Sequence, residues 1–187
     1  LDLVLAVFGD ANQLYLNEGS GLAYLGTSAY TISSDADNTV AVALADFDAD
    51  TRVDVAVANS NQGDKVYLND GNDDPFDMSS ATVISAQALN STDIQAADLD
   101  GDGLPDLAIS TDAENYYYLN RGQDAEGNWL GFSDPIELDG STDNTTSIAT
   151  GDVDADGDLD LVVGNNPGQN YFYGNLGDGT FASAVTI

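Results

Sequence analysis

Three Asp-rich loops, an apolar stretch after each, and a Tyr-Leu-Asn marker recurring in phase with them predict an all-β fold. The expected architecture is a run of β-propeller blades, each of four antiparallel strands. The loops are Asp46-Phe47-Asp48-Ala49-Asp50, Asp98-Leu99-Asp100-Gly101-Asp102 and Asp152-Val153-Asp154-Ala155-Asp156. Their period of roughly 50 residues suits a four-stranded blade. No segment shows a 3.6-residue apolar period, so helix is expected to be minor.

The elements of each repeat follow in order. A first strand precedes the Asp loop (Thr39 to Ala45, Thr92 to Ala97, Thr145 to Thr150) and alternates larger apolar residues with small ones. The second follows the loop: Val53-Asp54-Val55-Ala56-Val57, Pro105-Asp106-Leu107-Ala108-Ile109 and Leu159-Asp160-Leu161-Val162-Val163. Such near-continuous apolar runs read as strands buried on both faces. The opening Leu1-Asp2-Leu3-Val4-Leu5 matches them. The third strand carries the marker, at Tyr15-Leu16-Asn17, Tyr67-Leu68-Asn69, Tyr118-Leu119-Asn120 and, less closely, Tyr173-Gly174-Asn175. The fourth lies around Ala81 to Ser85, Ile136 to Leu138 and Ala182 to Ile187. Clusters of Gly, Asn and Asp punctuate all of them.

This divides the chain into a partial blade at 1–37 and blades at 38–89, 90–143 and 144–187, about three and three-quarter blades in all. A blade buries its faces only against neighbours, so the expectation is a segment of a larger propeller. Self-association through open blade ends and a four-bladed ring lacking one inner strand are the alternatives. The chain opens at Leu1 in what reads as mid-strand, without a basic signal-type leader, which also suggests a segment of a longer polypeptide.

Composition narrows the function. The chain has 33 acidic residues against 3 basic ones (Arg52, Lys65, Arg121), for a net charge of -30. That field repels nucleic acid and attracts cations. There is no Cys and no His, which removes thiolate chemistry and the commonest general base and transition-metal ligand. No apolar run approaches the roughly 18 residues of a membrane span, so no membrane insertion is expected from this segment.

Oxygen ligands at positions 1, 3 and 5 of a tight loop suit a hard cation that takes six to eight oxygens, which is Ca²⁺. The first loop would use the side chains of Asp46, Asp48, Asp50 and Asp54 with the carbonyl of Arg52. The second would use Asp98, Asp100, Asp102 and Asp106 with the carbonyl of Leu104. The third would use Asp152, Asp154, Asp156 and Asp160 with the carbonyl of Asp158. Four carboxylates so close repel one another without a cation, so folding and metal binding should be coupled. An EF-hand needs Glu at position 12, where Val57, Ile109 and Val163 stand instead, and that reading fails.

The pattern D-x-D-x-D-G-x-x-D before an apolar strand resembles the FG-GAP and VCBS-type repeats of the integrin α-subunit propeller and of many bacterial surface proteins. Asp98 to Asp106 and Asp152 to Asp160 fit every position, and Val163-Gly164-Asn165-Asn166-Pro167 is similar to the segment that gives the family its GAP label. The first loop departs from the pattern with Thr51 in place of Gly and is expected to be the weaker site. Asp2 holds position 9 of a loop whose first part is absent, so its ligand role is expected to be lost.

The resemblance implies a calcium-binding extracellular or cell-surface scaffold with an adhesive or protein-interaction role. The partner, a protein or glycan, would bind the rim opposite the metal loops. That rim would comprise the turns near Asn59 to Gly63, Thr111 to Glu114 and Asn165 to Gln169, and the stretches ending at Asn38, Asn90 and Asn144. A carbohydrate-binding lectin-type propeller is the alternative. A polysaccharide-cleaving enzyme is the least favoured, because the regular Asp residues are assigned to metal and few cations remain to stabilise an anionic transition state. No catalytic residue is expected. Trp129, in the extra segment Gln123 to Phe132, is either a local plug or a contact site.

Overall fold

A computed structural model describes residues 2–17, 29–76, 81–85, 88–138, 140 and 143–187. The chain is all-β and forms propeller blades. β1 (Leu3–Leu5), β2 (Gln13–Tyr15) and β3 (Tyr30–Thr31) make a three-stranded antiparallel sheet. The second sheet holds β4 (Thr39–Ala45), β5 (Asp54–Asn59), β6 (Lys65–Tyr67) and β7 (Thr82–Val83). The third holds β8 (Ser91–Ala97), β9 (Asp106–Thr111), β10 (Tyr116–Tyr118) and β11 (Ile136–Glu137). The fourth holds β12 (Thr145–Gly151), β13 (Asp160–Asn165), β14 (Tyr171–Tyr173) and β15 (Val185–Thr186). In each full blade the strands hydrogen-bond in chain order. The outer strands are shorter than expected, at two residues each. Among the described residues no helix is long and apolar enough to cross a membrane.

Alternation along the strands decides which junction each side chain fills. Val55 and Val57 of β5 meet Leu14 and Ile32 of the first sheet, while Ala56 and Ala58 face Ile94, Leu107 and Ile109 of the third. Tyr118 joins that second junction, whereas its neighbour Tyr117 packs with Ile148, Leu161 and Tyr173 of the fourth sheet. The tyrosine run is therefore blade packing. The inner strands each carry a bulge near their start, between Thr39 and Ala41, Ser91 and Asp93, and Thr145 and Ser147.

A buried polar contact repeats where each blade meets the next, at the end away from the Asp loops. Asn12 Oδ1 accepts from the Val7 N–H at 2.8 Å, and its Nδ2 donates to Thr39 Oγ1 at 2.9 Å. Asn115 does the same with the Thr111 N–H and Thr145 Oγ1, both at 2.9 Å. At the junction between them the residue is Asp64. Its Oδ1 accepts from the Asn59 N–H at 2.8 Å, and the direction of the second bond reverses, with Ser91 Oγ donating to Oδ2 at 2.9 Å. Burial pushes the Asp64 carboxyl up to about 6, against the lowering effect of its two donors.

Asn38, Asn90 and Asn144 do more than form turns. Their carbonyls accept the N–H groups of Ser60, Asp112 and Asn166, and Asn38 and Asn90 also form bridges to Phe8 and Ser60 of the preceding blade. Parts of the stretches leading to Asn90 and Asn144 lie outside the described residues.

Candidate metal centre

Each Asp loop links an inner strand to the buried second strand of its own blade, and its turn is shaped by left-handed residues at positions 4 and 6. These are Ala49 (φ 60) and Thr51 (φ 75), Gly101 (φ 77) and Gly103 (φ 89), and Ala155 (φ 65) and Gly157 (φ 104). That geometry turns backbone N–H groups onto the carboxylates. Asp98 accepts from Gly101 at 2.8 Å and from Gly103 at 3.0 Å, and Asp46 Oδ2 accepts from Thr51 at 2.7 Å. Asp100 and Asp102 accept from the N–H two residues on, as do Asp48, Asp50, Asp154 and Asp156. The first loop thus adopts the turn of the others despite its β-branched residue. Left-handed backbone costs a side chain about 1–2 kcal/mol. Thr51→Gly is therefore expected to stabilise the chain by about 1 kcal/mol, partly offset by the glycine's greater chain entropy. A urea titration checks this, and an unchanged or lower midpoint would show that Thr51 is not strained.

The structure gathers three carboxylates in each loop. Oxygens of Asp46, Asp48 and Asp50 lie within 4.8 Å of one another, as do those of Asp98, Asp100 and Asp106, and of Asp152, Asp154 and Asp160. Asp54, Asp102 and Asp156 stand outside these sets. Burial, followed by the neighbouring Asp charges, raises the carboxyls of Asp48 and Asp100. An all-oxygen donor set fits a hard divalent cation such as Ca²⁺. The first loop also carries a cation of its own. Arg52 Nη2 pairs with Asp50 Oδ2, and its Nε donates to the Asn69 carbonyl at 2.7 Å.

The position-9 carboxylates are the most buried of the carboxylates in each loop. Asp54, Asp106 and Asp160 are fully covered, and each accepts two backbone N–H groups. Asp106 Oδ2 takes the Leu99 N–H and its Oδ1 the Asn120 N–H, both at 2.7 Å. Asp54 holds Phe47 and Asn69, both at 2.8 Å, and Asp160 holds Val153 at 2.8 Å and Asn175 at 2.9 Å. Burial pushes Asp54 to about 6 and Asp106 to about 7, against these lowering bonds. Asp2 keeps half of this arrangement, accepting the Asn17 N–H at 2.8 Å. In each repeat this residue fastens the end of the marker strand to the start of the second strand.

Sequence reasoning took Tyr-Leu-Asn for a repeat marker and missed what its Asn does. Asn120 Nδ2 donates at 2.8 Å to the carbonyl of Phe47, which is position 2 of the preceding blade's loop. Asn175 Nδ2 donates at 2.8 Å to the carbonyl of Leu99 in the same way. The signal was present, since Tyr173-Gly174-Asn175 loses the Leu but keeps the Asn. Phe47 and Leu99 are 0% and 1% exposed under these clasps, while Val153 is 58% exposed. The Gln123 to Phe132 segment adds to the first clasp. Gln123 Nε2 donates to the Asp48 carbonyl, and Trp129 Nε1 donates to Asn120 Oδ1 at 2.9 Å. Trp129 and Phe47 both meet Phe132 edge to face, at centroid distances of 5.4 and 5.7 Å. Trp129 is therefore a plug behind the loop.

A family model described as FG-GAP-like repeat matches residues 46–109, 98–163 and 152–187. Among solved structures, the chain resembles one titled "Crystal structure of BBS1N in complex with ARL6DN, soaked with lead", at 16% identity and a TM-score of 0.48. The match covers 86% of this chain and 44% of that one, so this chain spans less than half of that chain's length. No curated protein matches the sequence.

Proposed function

Because the chain belongs to the FG-GAP-like repeat family, we propose that it is a calcium-stabilised propeller segment, extracellular or at the cell surface, that binds a partner without catalysing a reaction. The observation that carries this reading is the threefold recurrence of one turn, each copy gathering three carboxylate groups, at positions 1, 3 and 5 in the first loop and at positions 1, 3 and 9 in the other two. Calcium would supply the positive charge that such a set lacks. Asp98, Asp100 and Asp106 would hold it in the second loop and Asp152, Asp154 and Asp160 in the third, joined by Asp102, Asp156 and the carbonyls of Leu104 and Asp158. In the first loop Asp46, Asp48, Asp50, Asp54 and the Arg52 carbonyl would serve, with the Arg52 guanidinium competing for Asp50. A site suited to millimolar calcium fits an extracellular setting.

The partner surface is assigned to the opposite rim. β5, β9 and β13 run from the Asp loops to turns near Asn59 to Gly63, Thr111 to Glu114 and Asn165 to Gln169. These turns are polar and differ from blade to blade, as recognition loops do. A protein is the favoured partner.

Calorimetric titration with CaCl2 at fixed ionic strength is the first test. Saturable heat with a dissociation constant of about 0.1–1 mM, and much weaker heat with magnesium, is expected. No calcium heat would overturn the metal assignment. The calcium-loaded chain would then be screened on protein and glycan arrays. Saturable protein binding supports the scaffold reading, glycan-only binding replaces it with the lectin reading, and turnover of a polysaccharide overturns it.

A further inference from the structure

The Asp loops are joined to one another through buried hydrogen bonds. Within a loop, the position-9 carboxylate holds the N–H of position 2, as Asp106 holds Leu99. The carbonyl of that position-2 residue is gripped by the next blade's Asn, as Asn175 Nδ2 grips Leu99. The N–H of that Asn is held in turn by its own blade's position-9 carboxylate, as Asp160 holds Asn175. The same three bonds run from Asp54 through Phe47 and Asn120 to Asp106. A continuous path therefore leads from the first loop to the third through Asn120 and Asn175, which are 5% and 4% exposed.

We propose that Asn120 and Asn175 couple the cation sites of neighbouring blades, so that calcium in one loop raises the affinity of the next. This rests on the calcium reading above. Asp106 and Asp160 each belong to the carboxylate set of their own loop and also orient the Asn that clasps the preceding one. Fixing it at one site fixes the clasp, and the clasp fixes position 2 of the neighbouring loop. The second cation then meets a loop already ordered, with less conformational entropy left to lose. Low dielectric around the path strengthens each bond in it. Coupling is reciprocal, and it runs only between adjacent loops, so the first and third communicate through the second. Asn120 and Asn175 are positioning residues that touch no cation themselves.

A double-mutant cycle isolates this effect. The first loop is silenced by Asp46→Asn with Asp48→Asn, leaving two sites. The second is then silenced by Asp98→Asn with Asp100→Asn, which leaves Asp106 and its bonds in place. Calorimetry reads the calcium affinity of the third loop in both chains, each made with Asn175 and with Asn175→Ala. Silencing the second loop is expected to weaken the third about fivefold when Asn175 is present. In the Asn175→Ala pair the two affinities are expected to agree within about twofold. A penalty that is equal in both backgrounds, or absent in both, overturns the coupling while leaving the calcium reading intact. Absence of calcium heat in every chain overturns both. Should Asn175→Ala fail to fold, as judged by its far-UV spectrum, Asn120→Ala between the first and second loops gives the same cycle, with the third loop silenced by Asp152→Asn and Asp154→Asn. There, too, an unchanged penalty overturns the proposal.

Discussion

At pH 5, where the raised Asp106 carboxyl carries little charge in the fold, Asp106→Ala is expected to destabilise the chain by about 4 kcal/mol, because it strips the acceptor from two buried N–H groups at once. Leaving a buried donor unsatisfied costs about 1–3 kcal/mol, and the Leu99 and Asn120 N–H groups both lose their partner. The fully buried side chain also leaves a small void. For a chain of this length each kcal/mol moves the melting midpoint by about 2–4 °C, so a fall of roughly 10 °C is expected in excess EDTA. Asp102→Ala is the control. Asp102 is exposed, and it accepts a local bond from the Leu104 N–H, so its midpoint in EDTA should fall by less than a quarter as much. Adding millimolar calcium should raise the wild-type midpoint and widen the gap to Asp106→Ala. Equal losses for the two variants in EDTA would show that Asp106 is a ligand only and does not fasten the strands.

Asp64→Asn is expected to stabilise the chain above pH 7 and to remove a pH dependence that lies far from the Asp loops. The folded carboxyl is raised to about 6 from an ordinary value near 3.8. A group raised in this way contributes its full stability below about pH 3.8, and that contribution is lost as pH climbs through about 6. Each tenfold change in proton affinity is worth about 1.4 kcal/mol, so a gain on the order of 3 kcal/mol is expected for the variant at pH 8. Asn at this place matches Asn12 and Asn115, and its amide would donate to Ser91 as those donate to Thr39 and Thr145. The Asp64 carboxylate faces the Asn59 N–H from β5 and the Ser91 hydroxyl from β8, with the phenol of Tyr118 the charge-sensitive neighbour on β10. Urea midpoints at pH 5 and pH 8 check the prediction. The wild type should lose more stability between them than the variant, and parallel losses would show that Asp64 is not the group responsible.

The blades were legible in the sequence because the repeats share a phase and because strand burial is written as composition. Asp54–Asn59 and Asp106–Thr111 are buried at every position, as their apolar runs require. The outer strands were harder to delimit. β7 and β15 expose both their residues, so no apolar pattern marks their ends. The candidate site was legible in part, since alternate Asp residues in a tight turn announce an oxygen cage. The double duty of Asp106, which looked like one more ligand, was hidden. Its place in an apolar run announces burial, but its two N–H partners are 7 and 14 residues away, and nothing local names them.

By itself the sequence determined the all-β class, the four-strand repeat, the positions of the three Asp loops and the left-handed demand at position 6, where Thr51 departs from Gly. Each is a local property, set by side-chain alternation, turn chemistry or spacing within one repeat. Only the tertiary structure decided which residues act between repeats. The grip of Asn120 on Phe47 spans 73 residues and that of Asn175 on Leu99 spans 76. The reversal of the hydrogen bond at Asp64 and the use of Trp129 as a plug depend likewise on which blade faces which. Contacts between blades form only when the sheets stack, and no periodicity within a blade encodes them.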